Sequence, residues 1–467
     1  MGEKEEEKGI SGWLDLRLRL KSFLDRETPK YSTNPLYGLG GLALACGIVA
    51  IITGWLLSIY YEPSLEGAFD SVRRISEEIP YGSVIRSIHR YSADLIVIFA
   101  ILHFLRVFLT ASYRKPRDLT YIVGIIAGVA VVLTSYAGYS LPLNEVSVAA
   151  TYIGVGLVLS IPFIGKWLTS VLLGGGGLSD ILSRYYTYHL AVLPAVIVVL
   201  LLIHFYLVRI HRVSEPYSSS QDTTPIPFYP NLLLTEISAI FLLVGILIVI
   251  GTIFPVPVGE KFEPTKPTGI IEPEWYLLAI YALIKTGLPV FEAGILFPAA
   301  ILLILICIPF IDIGGSRHPK LRPFYTALAI TLSLEFLIFT IWGYVTPGQT
   351  IPLVNAITVG GSIAAAVFIA SVALRYRAPM LSQLTSEAAL RTTPTSSSSS
   401  SPTSNWITPL AIALTAVSIV LAAAAVFYHT IGLWLNTSLL VGFDFIVFSA
   451  FLYLYRAAYY PYLPRSS

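Results

Sequence analysis

The sequence predicts an all-α, polytopic membrane protein of about ten spans, and three observations predict it. Apolar residues make up 55% of the 467-residue chain and charged residues only 12%, against roughly 25% charged in an average soluble protein. Mean hydropathy is +0.73. The apolar residues gather in stretches near the ~20 residues that a helix needs to cross a bilayer. So few charges cannot cover a water-facing surface, which excludes a soluble multidomain enzyme, a collagen-like chain and extended disorder. Two cysteines, Cys46 and Cys307, leave no disulfide framework, zinc site or four-cysteine iron–sulfur cluster. A net charge of +2 argues against a nucleic-acid partner.

Residues 1–33 carry charges of both signs (the run Glu3–Lys8, then Arg17, Arg19 and Lys21) and no signal-peptide core. They read as a cytoplasmic amphipathic segment on the membrane surface. Spans are expected at about Leu36–Tyr60, Ser83–Thr110, Tyr121–Leu141 and Leu182–Val208, within residues 34–215. Four more follow within residues 216–377, at about Leu232–Phe254, Ala293–Ile313, Tyr325–Val345 and Ile351–Leu374. Residues 378–405, with their serine run, read as a flexible Ser/Thr/Pro-rich linker. Residues 406–467 add a pair of spans, Ile407–Tyr428 and Leu433–Leu454. Basic residues mark alternate connections: Arg114, Lys115 and Arg117; Arg209 and Arg212; Arg317, Lys320 and Arg322; Arg375 and Arg377; then Arg456. The positive-inside rule makes these connections, and both termini, cytoplasmic. On the other side Asn144–Ile181 and Pro255–Val290 are too long for turns, and long loops commonly carry function.

Four of the seven histidines lie in two spans: His89 and His103, 14 apart, and His189 and His204, 15 apart. At ~100° per residue these steps return to within roughly 40° and 60° of one helix face, with the rings about 21–23 Å apart. Spans two and four run in the same direction. His89 therefore pairs with His189, and His103 with His204, one pair near each membrane surface. A single intramembrane histidine often bonds a neighbouring carbonyl; four on matched spacing point to two metal sites. A metal with only two axial imidazoles from the protein is iron in a macrocycle, so the fold class sharpens to a four-helix diheme bundle plus further transmembrane helices. Gly40 and Gly54 on the first span, and Gly124 and Gly138 on the third, repeat the 14-residue step. Lacking a Cβ, they admit a flat ring; tight helix packing is the alternative. Arg86, three residues before His89, and Arg106, three after His103, lie nearer the surfaces, where haem propionates need a cation. Asp94, one turn from Arg90, reads as that arginine's neutralising partner.

From about Asn34 to Leu374 the chain resembles cytochrome b of the quinol–cytochrome c oxidoreductases (cytochrome bc, complex III) and their photosynthetic relatives. The resemblance rests on the spacings above, on Gly138-Tyr139 followed by Leu141-Pro142, on Ile161-Pro162-Phe163-Ile164-Gly165, and on Pro273-Glu274-Trp275-Tyr276. The first half is closest to the plastid-type form, yet here it is fused to the second half. Departures are Leu143-Asn144, where the family usually has Trp then Gly or Asp, and Lys285, where arginine is common. Gly38 stands where the plastid type has the cysteine for an extra covalent haem.

The resemblance implies the core subunit of a quinol-oxidising, proton-translocating enzyme in a prokaryotic cell membrane. It implies two non-covalent haems, of b type or a modified form, on His89/His189 and His103/His204. Glu274 would accept a proton at the outer quinol-oxidation site, with Tyr281 nearby and Pro273, Trp275 and Tyr276 in the quinone pocket. Glu236 and Arg209 would serve quinone reduction on the cytoplasmic side. Implied partners are a Rieske-type iron–sulfur protein, other respiratory subunits, quinones, lipids and a second copy of the chain in a homodimer. An alternative is a diheme cytochrome b passing electrons between quinone and another dehydrogenase, which has no need of Pro273–Tyr276. A solute transporter, from another class, has no need of the histidine and glycine spacings. The last two spans match nothing in the family core.

Overall fold

The computed structural model describes residues 15, 17, 19–216, 223–266, 270–391 and 407–459. Backbone in lipid must bond to itself, and helices do this without leaving an edge. The short α1 (Leu20–Leu24) is followed by α2 (Pro35–Ser58), α3 (Ala68–Glu77), α4 (Gly82–Leu109) and α5 (Asp118–Tyr139). The first long loop, where the sequence suggested two weakly apolar stretches, folds as α6 (Glu145–Leu159) and α7 (Gly165–Leu173). Then come α8 (Leu178–His211), α9 (Leu233–Ile253), the short α10 (Leu278–Ile284) and α11 (Phe297–Ile311). The chain ends with α12 (Pro323–Val345), α13 (Leu353–Arg391), α14 (Ile407–Thr430) and α15 (Trp434–Tyr459). Among the described residues ten helices are long and apolar enough to cross a membrane, at the ten places expected.

Three local features differ from the expectation. Most of the N-terminal segment lies outside the described residues, and its described end forms strand β1 (Glu27–Pro29), antiparallel to β2 (Pro225–Pro227). Helix α13 runs on to Arg391, so the first part of the stretch read as a linker is helical, while residues 392–406 lie outside the described residues. Two spans contain a widened turn just before a proline: Tyr188–Val192 before Pro194, and Glu292–Leu296 before Pro298. Proline lacks an N–H and clashes with the carbonyl four residues back; a π turn there relieves the conflict.

The chain forms two compact units, one of Met1–Val49, Ser218–Pro255 and Ser398–Ser467, the other of Ala50–Tyr217 and Val256–Ser397. In the first, α15 packs on both α14 and α9, so the appended pair docks on the fifth span. A Cβ built on Gly245 would lie 2.7 Å from the Gly442 carbonyl oxygen, and one on Gly442 3.1 Å from the Gly245 carbonyl oxygen. Only small residues let two membrane helices approach that closely. In the second unit α8 packs along α5, and α12 lies between α10 and α13. Phe108, Tyr113, Tyr121, Ile308 and Ala329 form a buried cluster there.

Beside that cluster sits a buried ion network. The Asp312 carboxylate, following α11, accepts from the Tyr113 hydroxyl (2.7 Å), from Arg114 Nη2 (2.6 Å) and Nε (3.1 Å), and from Arg322. Burial opposes its charge, but Arg114, Tyr113 and Arg322 outweigh that and hold the carboxyl below its ordinary range. Asp312→Asn leaves two guanidinium groups without their carboxylate. The expected loss is about 3–5 kcal/mol, read as a lower Tm of the purified protein. A depressed folded-state value means the contribution is complete above the unfolded carboxyl value and disappears as pH falls through the folded one. The Tm gap between wild type and variant should therefore close on acidification below about pH 4.

Candidate functional site

Helix α4 carries His89 and His103 on 28 uninterrupted residues. Helix α8 carries His189 and His204, with His189 inside the widened turn. A π turn holds one residue more than an α turn. The 15-residue step on α8 therefore advances about as far round its helix as the 14-residue step on α4. The rings of His89 and His189 meet edge to face, centroids 5.9 Å apart and planes at 84°. His204 lies near enough to His103 to act on it electrostatically.

Three of the four imidazoles are anchored from behind. His189 Nδ1 lies 2.9 Å from the Thr134 carbonyl and His204 Nδ1 3.0 Å from that of Thr120. His89 Nδ1 lies 3.0 Å from the Ala50 carbonyl, with the Thr53 hydroxyl at 3.1 Å. A carbonyl only accepts, so Nδ1 carries the proton and Nε2 keeps its lone pair for a metal. Each accepting carbonyl stands four residues before a glycine: Ala50 before Gly54, Thr120 before Gly124, Thr134 before Gly138. A Cβ at Gly54, Gly124 or Gly138 would lie 3.0, 3.2 or 2.3 Å from the Cε1 of His89, His204 or His189. Glycine clears the path by which each ring reaches the carbonyl one turn earlier. The sequence suggested these glycines for a macrocycle; the structure sets the histidine rings themselves against them. Gly40 lies on α2, in the other compact unit.

Two tests bear on an iron macrocycle. Among the described residues no cluster of three or more metal-ligating side chains occurs, so each pair offers two imidazoles. Arg86 donates to the Val256 carbonyl, while its buried Nε, like the buried His103 Nδ1, has no hydrogen-bond partner among the described residues. A pair of facing imidazoles with an unfilled guanidinium donor nearby would fit a haem with anionic side groups. Arg106 lies in the last turn of α4.

One residue beyond His89, Arg90 builds a second feature. Its guanidinium takes both oxygens of Glu274 (Nη1 to Oε1 2.5 Å), and its Nε donates to Asp94 at 3.3 Å. Asp94 also accepts from the Trp275 indole, 2.8 Å away. The expected closed pair of Arg90 and Asp94 is thus a shared arginine, and the Glu274 side chain is only 8% exposed. Pro273 and Glu274 lead into a 3-10 turn, Trp275–Leu277, and then α10. Tyr276 is buried there, which pushes its hydroxyl above the ordinary value. Tyr281 lies beneath the Lys285 ammonium, 4.8 Å from the ring centroid.

The departure at Asn144 has a structural reason. Its side chain caps α6 by accepting from the Ser147 N–H (2.9 Å), and its Nδ2 donates to the Val258 carbonyl (2.7 Å), tying down the loop that leads to Glu274. Lys261 on that loop pairs with Asp70 of α3 at 2.8 Å. Glu236 sits in the first turn of α9 and Arg209 in the last turn of α8, in different compact units.

A family model described as cytochrome b/b6/petB matches residues 24–212, and one described as cytochrome b(C-terminal)/b6/petD matches residues 262–368. The chain belongs to the cytochrome b family. Cytochrome b6 of Acaryochloris marina and that of Mastigocladus laminosus are each 39% identical over 211 residues, covering 44% of this chain and 98% of the relative. A solved chain of a hyperthermophilic respiratory complex III superposes with a TM-score of 0.66 at 27% identity, over 79% of this chain and 98% of that one. This cytochrome b is a multi-pass membrane protein, and its family implies haem binding and assembly with other subunits as the core of a quinol oxidoreductase. Its last two helices lie beyond both matched ranges. Gly138→Ala should drive the His189 ring off the Thr134 carbonyl and lower the haem content of the purified protein, measured as haem per polypeptide.

Proposed function

We propose that this cytochrome b serves a respiratory bc-type complex, oxidising quinol at the outer membrane face and reducing quinone at the cytoplasmic face. The observation that carries the reading is the adjacency of Arg90, with Glu274 in its grip, to the His89–His189 pair. Quinol oxidation must separate protons from electrons. A proton acceptor beside one metal site places both destinations at one end of α4. His89 and His189 would hold one haem and His103 and His204 the other, of b type or a modified form, with Arg86 and Arg106 toward their propionates. Bound there, the haems supply a relay for one electron across the membrane.

Glu274 takes the quinol proton on a carboxylate oxygen. Arg90 holds both carboxylate oxygens of Glu274 in place, and its second partner, Asp94, keeps the arginine anchored when Glu274 turns to a substrate. Tyr281, Trp275, Tyr276 and Pro273 wall the pocket. A Rieske-type iron–sulfur protein takes the other electron, since Cys46 and Cys307 stand on different helices, α2 and α11, and neither belongs to a cluster of metal-ligating side chains among the described residues. Glu236 and Arg209 serve proton uptake at quinone reduction. Both termini are cytoplasmic, the membrane is that of a prokaryotic cell, and the complex is a homodimer.

The optical spectrum of the purified protein should show two low-spin, bis-imidazole haems, and their absence overturns the reading. Glu274→Gln should keep both haems and slow quinol oxidation about a hundredfold. Wild-type turnover in that variant would take Glu274 out of its role.

A further inference from the structure

The Asp312 network leaves positive charge over. Arg114 and Arg322 share its one carboxylate, and both line a cavity of about 370 Å³ with Arg375 of α13. Three guanidinium groups against one carboxylate make that space cationic. The Arg322 side chain is 4% exposed, and its Nε is buried with no hydrogen-bond partner among the described residues. The N-terminus of the 23-residue α12 opens on the same cavity, lined by Pro323, Phe324 and Tyr325. First-turn N–H groups lack intrahelical acceptors and present partial positive charge. Arg114 Nη1 donates to the Gly315 carbonyl at 2.9 Å, which fixes the loop along the cavity. Buried guanidinium and a helix N-terminus converging on one space make an anion site.

The rim says which anion. Ile311, Ile313 and Phe324, all lining the cavity, are 61%, 83% and 60% exposed at the ends of two membrane-crossing helices. A soluble anion has no use for that apolar collar; acyl chains do. We propose that this cavity binds the phosphate of an anionic phospholipid, with its chains against the ends of α11 and α12. Arg375 is the exposed arm of the site, and Arg114 and Arg322 are its fixed base.

Detergent-purified protein is placed in nanodiscs of equal phosphatidylglycerol and phosphatidylcholine, and lipid retained on re-extraction is counted by native mass spectrometry. Wild type should retain phosphatidylglycerol preferentially. Arg375→Gln should lower that retention about fivefold, as expected for one cation at a membrane surface, and Arg375→Glu should lower it further. Neither change touches the Asp312 pairs, and the glutamine variant keeps the test open if the charge reversal fails to assemble. Equal retention of the two lipids, or wild-type retention by both variants, overturns the proposal. Displacement of the lipid by excess inorganic phosphate also overturns it, by assigning the cavity to a soluble anion.

Discussion

An unmet Nδ1 donor inside a bilayer costs a few kcal/mol, and three of the four intramembrane imidazoles, those of His89, His189 and His204, avoid that cost. In this protein helix carbonyls meet the need with their second lone pair. The Thr120 and Thr134 carbonyls take His204 and His189, two fixed points that set the register of α5 against α8. Each ring passes through the space that a Cβ at Gly124 or Gly138 would fill. The glycine spacing, the carbonyl spacing and the histidine spacing are therefore one constraint. Moving any member by one residue breaks the other two. The widened turn at Tyr188–Val192 belongs to the same constraint, since it brings a 15-residue step into line with 14-residue steps on α4 and α5.

Charge is arranged with equal economy. The low-dielectric interior makes an isolated ion untenable, so ions occur in groups that neutralise one another. One group, Arg90 with Asp94 and Glu274, stands beside the His89–His189 pair. Another, Arg114 and Arg322 with Asp312, closes the other end of α4. The two differ in balance. The first has two carboxylates for one arginine and so an excess of negative charge. The second has two arginines for one carboxylate, so it has capacity for an anion. That asymmetry suits the proposed proton acceptance beside His89 and the proposed anion site at the other end of α4.

Much of this was legible in the sequence, and what was not has a common cause. Spans, histidine pairs and glycine steps are periodic, and a period survives in one dimension. The Thr120 and Thr134 carbonyls were hidden because a backbone acceptor leaves no residue-type signal, although each stands four residues before a glycine of the repeat. The π turn had a signal, Pro194 five residues after His189, which a uniform 3.6-residue period overlooks. Arg90 was matched with Asp94, its neighbour on the helix, because local partners are visible and Glu274, 184 residues away, is not. Asp312 gave no signal for the same reason, since its partners Tyr113 and Arg114 are 199 and 198 residues away. Sequence periodicity finds the faces of helices; it does not say which distant charge a face will meet.

The last two helices carry the point further. Nothing in their composition distinguishes them from the other spans, yet two features fix where they go. The Ser418 hydroxyl donates to the Asp444 carboxylate, joining α14 to α15 from within. The Gly245–Gly442 approach, with the Ser449 hydroxyl donating to the Ser238 carbonyl at 2.6 Å, seats α15 on α9. Lipid chains are as apolar as leucine, so burial alone gives two membrane helices no reason to associate. Close backbone contact and a hydrogen bond do. A glycine on α9 facing lipid would leave a groove, and α15 fills it. The pair is thus built onto the fifth span and is not merely carried on the Ser/Thr/Pro-rich sequence that follows α13.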